Sequence, residues 1–141
     1  MTINTFKLEK YLAEHEFTAP YLLCSSDAES FSMQEIIHIA DSEDKKLWND
    51  LRLGYTESPG LPILREQIAL SLYPKLQANN ILCFAGAEEG IFCALHTMCN
   101  PGDNVIILTP CYQSLLEIPK LKGSDITTIA LLEKNHWRIQ Q

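Results

Sequence analysis

Residues 81–108 read ILCFAGAEEGIFCALHTMCNPGDNVIIL, and this stretch decides the fold. An apolar run, Ile81–Phe84, leads into a small-residue turn at Gly86-Ala87. An apolar helix follows over Glu88–Cys99, then a Pro-Gly-Asp turn and a second apolar run, Val105–Leu108. The turn carries no bulky side chain before Glu88, so the amides of Gly86, Ala87 and Glu88 are free to face a ligand. The first N–H groups of a helix lack intrahelical partners and carry partial positive charge. A phosphate suits such a corner.

Downstream the α/β rhythm continues. A helix is predicted over Tyr112–Leu121 and a third strand over Ile126–Leu132. Continuous apolar strands alternating with helices predict a sheet that is at least partly parallel and covered on both faces. Upstream, Gly54–Gly60 is rich in turn formers and ends in Ser58-Pro59-Gly60. A helix then opens with Pro62 in its first turn, places Leu61, Leu64, Ile68 and Leu72 on one face, and ends near Tyr73 before Pro74. Residues 1–53 are polar and mixed. Phe6, Leu8, Tyr11, Leu12 and Phe17 suggest an arm or short helix with little core of its own. Ser32-Met33-Gln34-Glu35 fits a capping box before Ile36, Ile37 and Ile39. Asp41–Lys46 reads as a solvated charged face, and Trp48, Leu51 and Leu53 as a return to apolar contact.

The 141 residues are 46% hydrophobic and 21% charged, which predicts a folded chain with a real core. A net charge of -7 without any Lys/Arg run argues against nucleic acid and anionic membrane as partners. No segment reaches the ~20 apolar residues that span a bilayer. The five cysteines are odd in number and lack C-x-x-C spacing, so neither a disulfide framework nor a zinc site is expected, and the reading is a reducing, cytoplasmic compartment. His15, His38, His96 and His136 show no ligand-like spacing, and no metal is assigned.

Four features stand in order. Tyr55-Thr56-Glu57-Ser58-Pro59-Gly60 precedes Leu64-Arg65-Glu66-Gln67-Ile68-Ala69; Gly86-Ala87-Glu88-Glu89-Gly90 opens a helix; Asn100-Pro101-Gly102-Asp103 precedes a strand; Pro110-Cys111-Tyr112 ends it. The ordered set resembles the N-terminal part of a class I/II, fold-type I, pyridoxal 5'-phosphate-dependent aminotransferase. The resemblance implies the start of that family's large domain, a three-layer α/β/α architecture with a mainly parallel sheet, incomplete here and preceded by an N-terminal arm. Residues 1–53 would form the arm and a small-domain segment, and 54–141 the first part of the cofactor-binding domain.

By the same resemblance, Gly86, Ala87 and Glu88 would bind the cofactor phosphate through backbone amides, with the Glu88 carboxylate turned away. The hydroxyl residue that many relatives carry in this turn is absent. Tyr112 would stack on the pyridine ring; the alternative is a tyrosine that merely opens a helix. Tyr55 would reach the phosphate of a partner subunit, implying a homodimer; the alternative is a loop aromatic packed on the following helix. Arg65 is expected to make a structural ion pair. Ser25, Ser26 and Asp27 sit where relatives approach substrate, but local turn formation is the simpler reading.

Transamination between an amino acid and a 2-oxo acid needs a Schiff-base lysine, an acidic partner for the pyridine nitrogen and an arginine for the substrate carboxylate. None of Lys7, Lys10, Lys45, Lys46, Lys75, Lys120, Lys122 and Lys134 matches the family's lysine motif. The expectation is therefore an N-terminal fragment with part of the cofactor cradle and no catalytic residue. The alternatives are a non-catalytic remnant or interaction subunit, half of a split enzyme completed by a C-terminal chain, or an unrelated phosphate-binding α/β domain. An unfinished sheet also predicts marginal stability and association.

Overall fold

The computed structural model describes residues 3–140; residues 1, 2 and 141 of the two expected domain ranges lie outside it. The helices are α1 (Lys7–His15), α2 (Met33–Ile39), α3 (Ser42–Asn49), α4 (Pro62–Leu72), α5 (Ala87–Met98) and α6 (Ser114–Leu121), and the strands are β1 (Asn104–Thr109) and β2 (Asp125–Ala130). Single 3-10 turns lie at Ala78–Asn80 and Glu133–Asn135.

Local chemistry explains most of the boundaries. Ser32 and Glu35 close a reciprocal capping box on α2: the Glu35 amide donates to the Ser32 hydroxyl and the Ser32 amide to the Glu35 carboxylate. Asp41 caps α3 by accepting from the Asp44 amide. Pro62 occupies the first turn of α4, where its missing N–H has no consequence.

β1 and β2 pair in parallel, Val105 beside Ile126 and Ile107 beside Thr128, with α6 as the crossover. α6 packs on both strands and on α5. The core sits there. Ile107, Ile118 and Cys99 are buried, and Ser114 and Pro119 are fully enclosed.

Four expectations are corrected. Ile81–Phe84 forms no strand, so the sheet of the described residues has two strands, not three. Its Cys83 amide donates instead to the Pro59 carbonyl at 2.8 Å, which ties the segment to the preceding loop. The sheet is covered on one face only: Ile107 is buried, whereas Ile106 on the other face is 64% exposed. Trp48, Leu51 and Leu53 stay exposed, because α3 buries no residue against another element. The helix expected from Tyr112 starts at Ser114, leaving Tyr112 and Gln113 in the turn between β1 and α6.

Much apolar surface stays in water. The accessible area is 12,093 Å² for 16.0 kDa. A compact monomer of that mass exposes about 7,400 Å².

Candidate functional site: an amide corner beside Tyr112

Gly86 is the N-cap of α5, with φ 106° and ψ 156°. A side chain is strained in this region, so glycine suits the position. A Cβ built there would meet no atom within 4 Å, so the corner is open. No side chain caps α5. Among the described residues, the amides of Gly86, Ala87 and Glu88 have no hydrogen-bond partner.

Both acids of the first turn are engaged elsewhere. The Glu88 carboxylate accepts from the Ser114 hydroxyl at 3.0 Å, which turns it toward α6. Glu89 reaches back and accepts from the Ala85 amide at 2.6 Å. Gly90 allows the helix to approach the preceding segment: a Cβ there would sit 3.3 Å from the Phe84 ring.

The Glu88–Ser114 bond brings the corner to Tyr112, two residues before Ser114. The Tyr112 hydroxyl donates to the Glu9 carboxylate, and the Phe6 ring meets the Tyr112 ring edge-on at 6.3 Å and 82°. The hydrogen bond to Glu9, then burial, then the charges of Glu9 and Glu88 push the Tyr112 phenol up to about 12. It is therefore a neutral aromatic at physiological pH.

The N-terminal segment continues onto α6. Gln113 donates to the Thr5 carbonyl at 3.0 Å and accepts from the Lys7 amide at 3.1 Å. The Asn4 amide and side chain donate to the Glu117 carboxylate at 3.0–3.2 Å. The Asn4 side chain, then its amide, then Lys120 hold the Glu117 carboxyl below the usual carboxylate range, against its burial. Glu9, Phe6, Asn4 and Ser114 were not singled out for the site from sequence. The arm contacts span more than 100 positions, and no local pattern registers them. Ser114 offered only the weak signal of a hydroxyl opening a helix.

The remaining candidates lie apart from this contact set. Tyr55 is fully exposed on its loop. Among the described residues Arg65 makes no ion pair; it donates to the carbonyls of Gly60 and Ala78, each at 3.0 Å, and so pins the 54–60 loop to the 3-10 turn that follows α4. Its role is structural, through carbonyls rather than a carboxylate. The Ser25 hydroxyl donates to Asp27, a local turn contact. His96 stacks on Phe92 one turn earlier in α5. The cysteines form no disulfide, and no cluster of metal-binding side chains occurs among the described residues.

The chain is thus an α/β protein in which an open amide corner is tied, through Glu88 and Ser114, to the turn at the C-terminal end of β1, where α/β sheets place their ligands. The chain belongs to the class I and II aminotransferase family, whose pattern it matches over residues 20–141. It is 34% identical over 108 residues to an aspartate aminotransferase of Geobacillus stearothermophilus, covering 72% of this chain and 27% of that protein. It is 30% identical over 90 residues to one from Musicola paradisiaca, 60% of this chain and 22% of the relative. The chain thus spans about a quarter of the length of these curated relatives. A PLP-dependent aminotransferase structure from Streptococcus suis superposes with a TM-score of 0.86 at 29% identity, over 99% of this chain and 38% of that one. An aspartate aminotransferase from Thermotoga maritima shares the fold at 18% identity, with a TM-score of 0.70 over 97% of this chain and 37% of its own. The two-stranded sheet is accordingly a short part of a fold-type I α/β domain. No helix among the described residues is long and apolar enough to cross a membrane.

Proposed function

We propose that this chain supplies the phosphate- and ring-binding corner of a pyridoxal 5'-phosphate-dependent aminotransferase that moves an amino group between an amino acid and a 2-oxo acid. The observation that carries the reading is the open, unpartnered amide corner at Gly86-Ala87-Glu88, joined to Tyr112 through Glu88 and Ser114. The residues fit the group. The amides would hold the phosphate, helped by the positive end of α5. Tyr112 would lie against the ring, a contact worth about 0.5–1.5 kcal/mol beyond area burial. When bound, the cofactor supplies an electron sink for the carbon that loses its proton. Ser114 keeps the Glu88 charge off the phosphate. Tyr55, exposed on its loop, is free to reach a second subunit's phosphate in a homodimer.

The reacting lysine belongs to sequence other than these 141 residues. Among the described residues, Lys45 bonds through its side chain to the His38 carbonyl and Lys120 to Glu117, neither of them part of the corner. We assign the working protein to the cytoplasm and to a biosynthetic step, and divide this chain into an arm and small-domain segment (1–53) and the first part of the large domain (54–141). A second reading, half of a split enzyme completed by another chain, draws support from the large uncovered surface.

The test is an amide-resolved NMR titration with pyridoxamine 5'-phosphate, which forms no Schiff base with lysine. Shifts centred on Gly86, Ala87, Glu88 and Tyr112, absent with unphosphorylated pyridoxamine, are expected. Equal effects of both compounds, or shifts elsewhere only, overturn the reading.

A further inference from the structure

We propose that Glu9 is a positioning residue for the Tyr112 ring, the working end of a strap, residues 4–9, that ties the N-terminal arm across the β1–α6 turn. The inference rests on the proposed cofactor site. A tyrosine in a turn has two free torsions, and a surface that must lie flat on a planar ligand is of use only when both are fixed. The turn itself fixes neither. The strap does so from two directions. Glu9 accepts from the phenol at the far end of the side chain, and the Phe6 ring meets the Tyr112 ring edge-on at 82°. Glu9 is itself in the first turn of α1, whose start is anchored: the Lys7 amide donates to Gln113, the neighbour of Tyr112. Gln113 returns a bond to the Thr5 carbonyl, and Asn4 closes the strap on Glu117 one turn further along α6. Among the described residues, every contact of the strap that involves a side chain thus lands on Tyr112, Gln113 or Glu117, within one six-residue stretch of chain.

The carboxylate matters beyond geometry. The charged groups that act on the Tyr112 phenol are Glu9 from α1 and Glu88 from α5. Both favour the protonated, neutral ring. The acceptor that orients the ring thus also disfavours its ionisation, although a phenol is neutral at physiological pH without that help.

The experiment uses the 141-residue chain and 4'-deoxypyridoxine 5'-phosphate, which lacks the aldehyde and binds only non-covalently. Binding is measured by calorimetry for the wild type, Glu9→Ala, Glu9→Gln and Tyr112→Ala. Glu9→Ala is expected to weaken binding about two- to tenfold, the cost of ordering one side chain at binding. Glu9→Gln keeps an acceptor for the phenol and should bind like the wild type or tighter. A second readout is ultraviolet titration of the phenol with Tyr11, Tyr21, Tyr55 and Tyr73 replaced by Phe. The Tyr112 midpoint should fall from about 12 toward the ordinary tyrosine value in Glu9→Ala. If both Glu9 variants bind more tightly, Glu9 acts only as a repelling charge and the positioning role is overturned. It is equally overturned if Tyr112→Ala loses binding while Glu9→Ala does not, or if the phenol midpoint is unchanged. Unaltered binding by Tyr112→Ala instead refutes the stacking site itself, and the inference with it.

Discussion

Alanine at Gly86 should destabilise the chain through backbone strain alone, and the molecule contains its own controls. The Gly86 φ of 106° with ψ 156° lies where L-residues cost about 1–3 kcal/mol. No atom lies within 4 Å of a Cβ there, so no steric term is added. Gly54 has the same empty surroundings without a positive φ. Alanine at Gly54 should be neutral or stabilise by about 0.4–1 kcal/mol, because it narrows the unfolded ensemble. Gly60 combines φ 111° with a Cβ position 2.7 Å from Cys83 Cβ, so strain and clash add, and this variant should be the worst of the three. With a urea slope of roughly 2 kcal/mol/M, Gly86→Ala should unfold at about 0.5–1.5 M less urea than the wild type, and further below Gly54→Ala. Circular dichroism in a urea series measures all three. A Gly86→Ala midpoint equal to that of Gly54→Ala would refute the left-handed turn, and with it the outward presentation of the Gly86 and Ala87 amides.

Two further outcomes follow from the strap and the surface. Glu117 has a lowered carboxyl in the folded chain, so its bond to Asn4 stabilises above the ordinary carboxylate range and is lost as pH falls through the folded value; the wild type should exceed Glu117→Gln by about 1–2 kcal/mol near pH 7 in urea unfolding, the gap should narrow as pH falls below the ordinary carboxylate range, and a gap independent of pH would contradict the assignment. The chain alone should associate as its concentration rises, because it exposes roughly 1.6 times the area of a compact monomer of its mass, and a sedimentation coefficient that stays monomeric at every concentration would speak against this.

The helices of the second half were legible because their signals are local. Periodicity over Leu61–Leu72, the Pro62 start and the turn before Ala87 reproduce α4 and α5 within a residue. The capping box at Ser32 was equally readable, since both partners lie within four residues. Strand pairing was less so. Ile81–Phe84 has the composition of a strand, but composition says nothing of a neighbour, and the segment bonds to the Pro59 loop instead. The apolar residues Trp48, Leu51 and Leu53 likewise stay exposed, so hydrophobicity alone misplaced them in the core. At the site, the open turn and Tyr112 were visible because glycine and aromatic identities carry their own constraints. Glu9 was not, because a glutamate on an amphipathic helix carries no mark of the residue it meets more than 100 positions away.

The acidic composition would make the proposed corner a demanding case for anion binding, and the two acids of its first turn are both bonded elsewhere. A chain of net charge -7 offers an anion no long-range attraction. The first turn of α5 adds two carboxylates where a phosphate would sit. Acids there are favourable for the helix, since they complement its positive end, but they compete with the ligand for the same field. Each is drawn off by a separate donor: Glu88 by the Ser114 hydroxyl on α6, Glu89 by the Ala85 amide before the turn. The two bonds pull to either side of the corner and leave the amides between them bare. Ser114 and Glu89 therefore matter to the corner although neither need touch a ligand. The turn itself carries no hydroxyl side chain, and the Ser114 hydroxyl on α6 is spent on holding a carboxylate aside.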